Sequence, residues 1–441
     1  MPNMSRFAVA RTLALVVALG ASAASRGAAA KDAPAKAACA KDVEFLLTQL
    51  EKKAGALIRL KEIDWSKVAA QFRAEAKKVE DDVGELKLCV RLMARLRDGH
   101  AGVIDSKVKW PDESKGRRFT GPRVHLLTEG KRVWVRAAFG EAELRGVRVG
   151  MEVVQIDGRP AMTWLLAKRE ELRDTQGFST DHQALYAACH QGLADWSGTS
   201  VKFALVDGDG QKSVTIERDG GPNYAPFGPV FFPKDLKTIE KSRLSYGRTA
   251  GGFGYVHLRE VPSDLPDELD IALEAIGDVP GMILDCRANS GGGCDHEAVF
   301  GRFLPPGKKW RQYVGQGKRP FVGRMVVIID AGVCSAGETI AGQFGEDGRA
   351  YVIGDGPTAG MSSQKEELTV PSGLVKVRFS VASNKGRFND GKGIEGLGVP
   401  PMERVPYDPK ELGRGVDTQI RRAEELLRGG FPKGSVAYDE Q

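Results

Sequence analysis

One pattern between residues 254 and 353 restricts the fold more than anything else in the chain. Short runs that are apolar at nearly every position (254–258, 281–285, 325–329 and 351–353) alternate with stretches of helical spacing (265–276, 295–303 and 336–344). An uninterrupted apolar run has no polar face to offer water, so as a strand it must be covered on both sides. Strands joined through helices lie parallel, and functional groups then gather at the carboxyl ends of the strands. The expectation is an α/β protein built around a mostly parallel sheet.

At 441 residues the chain exceeds one ordinary core, so several domains are expected. From 42 to 97 apolar residues recur at helical intervals (Val43, Leu46, Leu47, Leu50; Val68, Phe72; Leu86, Leu88, Leu92, Leu96), which predicts an N-terminal helical domain over 24–117. Its helices stop at Asp98-Gly99-His100-Ala101-Gly102, where two glycines let the backbone turn. Residues 118–219 change to short β-like runs (133–135, 151–156, 201–205, 213–216) interrupted by a helix-like insertion at 163–196. Prolines and glycines mark 220–250 as a linker, 251–410 is the βα core, and 411–441 reads as a C-terminal helix and tail.

Arg6 and Arg11 precede an apolar run that ends in small residues, the layout of a signal peptide over 1–23. The run is shorter than the ~20 residues a bilayer needs, and no later segment is long and apolar enough, so the mature chain is expected to be exported without a membrane span. Export to the periplasm or beyond would permit disulfides among Cys39, Cys89, Cys189, Cys286, Cys294 and Cys334; Cys39–Cys89 and Cys286–Cys294 are two conceivable pairs. Basic and acidic residues are interleaved around a formal charge of +6, which gives no nucleic-acid groove. Neither a cofactor nor a metal is expected, since Cys286, Cys294 and His296 lack the close spacing of a zinc site.

Ser335 follows an apolar strand and opens a helix, where the positive end of the helix dipole and the adjacent Ala336 N–H suit a developing oxyanion. A serine there is equally an ordinary N-cap. The cluster Ser290-Gly291-Gly292-Gly293 follows another strand end and can bring bare amides close to a substrate carbonyl, so Gly291 and Ala336 are the expected oxyanion donors.

Together these pieces resemble the catalytic domain of the tail-specific (C-terminal processing) serine peptidases. The motifs are Asp285-Cys286-Arg287-Ala288-Asn289-Ser290-Gly291-Gly292, Ser335-Ala336-Gly337-Glu338, Gly354 through Gly360, and Gly391 through Pro400. Upstream, Ile63-Asp64-Trp65 and Leu96-Arg97-Asp98-Gly99-His100 extend the likeness, and Leu144 to Pro160 resembles a PDZ segment, with Met151 where an aspartate is usual. The resemblance implies a peptidase acting on polypeptides with Ser335 as nucleophile.

Relatives with a Ser/Lys dyad carry lysine after the Thr-x-Gly element, whereas Met361 follows Gly360 here and Lys365 lies four residues on. The tricorn-like branch instead uses a histidine and a distant glutamate, which implies His100 as base and Glu395 as its support. That branch places a serine before the histidine; here the residue is Gly99. His296 is the rival base and Cys334 the rival nucleophile. A non-catalytic peptide- or ligand-binding member of the fold and an esterase are the rival functions.

Overall fold

The computed structural model describes residues 32–109, 119–208, 210–219, 228–239, 241, 243–361 and 363–440. The expected signal peptide lies outside them. Among the described residues no helix is long and apolar enough to cross a membrane.

A seven-stranded sheet forms the βα core, in the spatial order Lys237–Ile239, Leu244–Arg248, Gly254–His257, Met282–Asp285, Met325–Ile329, Tyr351–Gly354, Glu403–Arg404. The first two join antiparallel and the rest are parallel. Alternate residues of each strand serve opposite faces. Val256, Leu284, Val327 and Val352 pack beneath the helices Leu265–Ile276 and Ala336–Glu346, whose Leu269, Leu273, Ile340 and Phe344 share one buried cluster with them. Tyr255, Ile283, Ile328 and Ile353 face the helix Thr418–Gly429 through Ile420, Leu426 and Leu427. The stretch read as a linker differs from expectation, because 237–239 and 244–248 add two edge strands. Its signal was the alternation of buried Leu244 and Tyr246 with half-buried Ser245 and Gly247, masked by the surrounding prolines and glycines.

Helices α1 (Asp32–Leu60), α2 (Trp65–Ala76) and α3 (Asp82–Ala94) form the helical unit, with Asp64 and Asp81 accepting first-turn amides of α2 and α3. They pack on a three-stranded antiparallel sheet of Gly102–Ser106, Val375–Ser383 and Ser363–Thr369. Two of these strands come from the stretch assigned to the core, because Val375, Val377 and Phe379 bury their common face against Leu46, Phe72 and Leu92. Residues 363–383 therefore bind the two ends of the chain together. Between them stands an antiparallel sheet running from Val124–Glu129 to Gly210–Glu217, with the helices Ala161–Thr175 and Asp181–Gln191 inserted as expected.

All six cysteines are free thiols. Neither conceivable disulfide forms: Cys39 and Cys89 are packed in the helical core, and Cys286 is buried in the sheet while Cys294 lies half-buried on the glycine turn.

Arg287 is fully buried and fastens the C-terminal segment to the sheet. Its guanidinium donates to Asp285, to both oxygens of Asp417 at 3.0 Å, to Gln419 Oε1 at 3.0 Å and to the Tyr407 hydroxyl at 3.2 Å. Removing one member of a buried ion network leaves its partners charged and unpaired, at a cost of about 3–5 kcal/mol. Arg287→Met is expected to lower the urea midpoint accordingly. A variant that unfolds with the parent would show that the network carries no such weight.

Candidate active site

The turn that carries Ser335 is built from the ends of two neighbouring strands. Asp330, at the end of Met325–Ile329, accepts from the amides of Ala288 and Gly332, both at 2.9 Å, and the Cys334 N–H donates to the Asn289 carbonyl at 2.9 Å. These bonds sew residues 330–335 to the glycine turn. Ser335 then adopts a φ of +56°, a conformation that a non-glycine residue holds only when its surroundings enforce it.

Glu338 is the enforcing group. Fully buried one helical turn on, its Oε2 accepts from the amides of Ser335 (3.0 Å) and Met361 (2.9 Å), and its Oε1 accepts from Thr358 Oγ1 and the Gly360 amide, both at 2.6 Å. Burial pushes this carboxyl upward, and the donors from Thr358, Gly360 and Met361 pull it back toward ionisation.

His100 enters from the turn after α3. Asp98 shapes that turn: its Oδ1 accepts from the His100 amide at 2.9 Å and its Oδ2 from the Ser380 amide at 2.8 Å. The His100 Nε2 lies 3.2 Å from Ser335 Oγ although 235 residues separate the two in sequence. Burial lowers the imidazole to about 4, with Asp98 opposing and the positive charges of Lys365, Arg378 and Lys61 reinforcing. At neutral pH the ring is uncharged and can accept a proton.

Behind the ring stands Glu395, and one donor atom from each of Asp98, His100 and Glu395 lies within 4.8 Å of the others. His100 Nδ1 and Glu395 Oε2 are both buried without a hydrogen-bond partner among the described residues. Glu395 Oε1 is held by Lys61 Nζ at 2.5 Å and by the Ser179 hydroxyl at 2.9 Å. Among the described residues this trio is the one cluster of three potential metal ligands, but Lys61 already occupies one of its oxygens and the local field is positive.

The two departures seen in the sequence meet in space. A Cβ on Gly99 would sit 2.7 Å from Met361 Sδ and 3.0 Å from Gln183 Nε2, so a serine at position 99 would require the Met361 and Gln183 side chains to shift. Lys365 lies on the strand Ser363–Thr369, close enough for its charge to act on His100 and Cys334, and burial pulls its own ammonium down. The side chain beside Ser335 Oγ is nevertheless His100. His296 only begins the helix His296–Gly301, and burial pushes the Cys334 thiol up and away from thiolate character.

One of the two expected oxyanion donors already has an acceptor. Gly291 does lie against Ser335, since a Cβ there would meet Ser335 Cβ at 2.6 Å, but its N–H donates to Asn289 Oδ1 at 2.8 Å. Asparagine side chains commonly capture the amide two residues on in this way. The Gly291 carbonyl accepts from Val261 N–H, so across the trans peptide the Gly292 N–H points the opposite way. Among the described residues the amides of Gly292 and Ala336 have no acceptor.

Residues 252–405 match peptidase family S41. The chain carries a peptidase family S41 domain. Ser335, Glu338 and Glu395 fall within the S41 domain, whereas His100, Lys61 and Ser179 lie outside it. A carboxyl-terminal-processing protease from Picosynechococcus sp. (strain ATCC 27264 / PCC 7002 / PR-6) is 22% identical over 293 residues, 62% of this chain and 66% of that protein, so the chain spans about two-thirds of this relative's length. Mature CPAF is similar in fold with a TM-score of 0.65 at 12% identity, over 92% of this chain and 99% of the other. The structure of mature CPAF complexed with lactacystin gives 0.65 at 13% identity, over 90% and 100%.

Sequence reasoning named Ser335, His100 and Glu395 but gave no role to Asp98 or Glu338, although both stand inside its motifs. Lys61 and Ser179 carry no local signal, since each is an ordinary polar residue until the fold brings it to Glu395. Gly291→Ala is expected to cut activity at least ~100-fold with little change in secondary structure, because the new methyl, at a φ of +78°, collides with Ser335. Circular dichroism and peptide hydrolysis measured on one preparation check this; full activity would mean the turn yields without moving Ser335.

Proposed function

We propose that the chain is an exported serine endopeptidase that hydrolyses polypeptides through an acyl-enzyme. The observation carrying this is the 3.2 Å contact between His100 Nε2 and Ser335 Oγ, made by a strained serine at a helix start. A ligand-binding protein would need neither the strain nor a neutral imidazole. The leader with Arg6 and Arg11 supports export.

Ser335 Oγ attacks the scissile carbonyl as its proton passes to His100 Nε2, giving a tetrahedral oxyanion that the amides of Gly292 and Ala336 receive. The imidazolium returns its proton to the leaving amine as the C–N bond breaks. Water then repeats the sequence on the acyl-enzyme, with His100 again taking the proton. Asp98, whose Oδ1 lies 4.0 Å from Nδ1, and Glu395 in the same cluster favour the tautomer with its proton there and stabilise the imidazolium; contacts of this kind tighten around substrate.

A fluorophosphonate probe is expected to label Ser335, located by peptide mapping, and Ser335→Ala and His100→Ala are each expected to abolish labelling and hydrolysis to a similar extent, since the two act as a unit. An active His100→Ala protein with a dead Lys365→Ala counterpart would establish a Ser/Lys enzyme instead. His100 must be neutral to act and its pKa is lowered, so activity is lost only as pH falls through that low value. The acid limb of kcat/KM against pH is therefore expected below the ~6.5 of an ordinary histidine. A midpoint at or above ~6.5 would contradict the burial argument.

A further inference from the structure

A carboxylate buried behind a catalytic base helps only while it stays ionised and correctly aimed. Lys61, just after α1, and Ser179, between the two inserted helices, both bind Glu395 Oε1, while Glu395 Oε2, like His100 Nδ1, is buried without a partner among the described residues. The same two side chains reach the backbone on either side of Asp98: Lys61 Nζ donates to the Arg97 carbonyl at 2.7 Å, and the Gly99 amide donates to Ser179 Oγ at 3.0 Å. One pair of residues thus fixes both the acid and the turn that carries the base.

We propose that Lys61 and Ser179 are positioning residues of the peptidase reaction, which hold Glu395 charged and in register with His100. The inference rests on the His100–Glu395 relay described above. A stability role explains the pair poorly. The Lys61 and Glu395 side chains are 6% and 0% exposed, and a buried ion pair is seldom more stabilising than apolar packing of the same volume. Its connections run to the two segments that carry His100 and Glu395.

Burial raises the Glu395 carboxyl and Lys61 opposes that rise. Facing the carboxylate are Lys61, Asp98 and His100, with Glu338 on its helix and Lys365 on its strand acting through their charge. Arg97, Arg173, Asp181 and His182 line the adjoining cavity of about 370 Å³, which Lys61, Ser179 and Glu395 also border and which leaves room for a larger cation. Loss of Lys61 lets Glu395 take a proton at higher pH, and it also relieves the positive field on His100; both effects move the acid limb upward.

The test uses the full chain with fluorescein-labelled casein as substrate, and the rate of fluorophosphonate labelling of Ser335 as a readout that needs no turnover. Lys61→Met is expected to lower kcat/KM at pH 7 at least ~10-fold and to raise the acid-limb midpoint by about one unit or more, the usual reach of an opposite charge at this distance. Lys61→Arg should restore the midpoint. Ser179→Ala should lower kcat with KM unchanged. In a Glu395→Gln background, Lys61→Met should slow labelling no further, because its partner is already gone. An unmoved acid limb, with activity falling only as the folded fraction measured by thermal melts, would overturn the proposal. So would a full further loss in the Glu395→Gln background. If His100→Ala or Glu395→Gln proved fully active, the relay itself would fail, whatever Lys61 did.

Discussion

The active site depends on one buried carboxylate. Glu338 collects four donors, three from the loop 358–361 (the Thr358 hydroxyl and the amides of Gly360 and Met361) and one from the Ser335 amide. A helix start normally leaves amides unpaired, and an acidic side chain one turn in is the usual remedy. Here the remedy does more. By gripping the Ser335 amide it makes the positive φ tolerable, and by gripping the Gly360 and Met361 amides it sets the loop on which the His100 turn rests.

That loop shows how a change in catalytic apparatus can be absorbed. A thioether at position 361 cannot accept the serine proton, and it packs against the glycine at position 99, where any side chain would have to displace it. The imidazole then takes over as the base of the proposed reaction, and its hydrogen-bonded support comes from Ser179 and Lys61, far from position 99 in sequence. Met361, Gly99, Ser179 and Lys61 are best understood as one packing solution, in which a change at any member alters what the others can be.

The repeating βα pattern was readable because continuous apolar strands and amphipathic helices are local signals: the strand Met325–Ile329 and the helix Leu265–Ile276 fall where spacing puts them. Ser335, His100 and Glu395 were readable through motifs. What could not be read is what tertiary contact alone creates. Strands 363–383 look like part of the core until Phe379 meets the helical unit. The Gly291 amide looks available until Asn289 folds back onto it. Cysteines in a chain with a leader-like start suggest bridges, but their burial in apolar surroundings is the ordinary fate of a free thiol.

The strands at 363–383 carry one further consequence. Because they complete the sheet beneath α1–α3, the helical unit that presents His100 lacks part of its core until residues 363–383 have joined it, and Glu395 follows only twelve residues later. The His100 turn therefore settles beside Ser335 only when segments from both sides of Ser335 in the sequence have come together. In the proposed reaction, pairing Ser335 with His100 thus waits on strands that lie beyond Ser335 in the sequence, however early the turn around Ser335 itself takes shape.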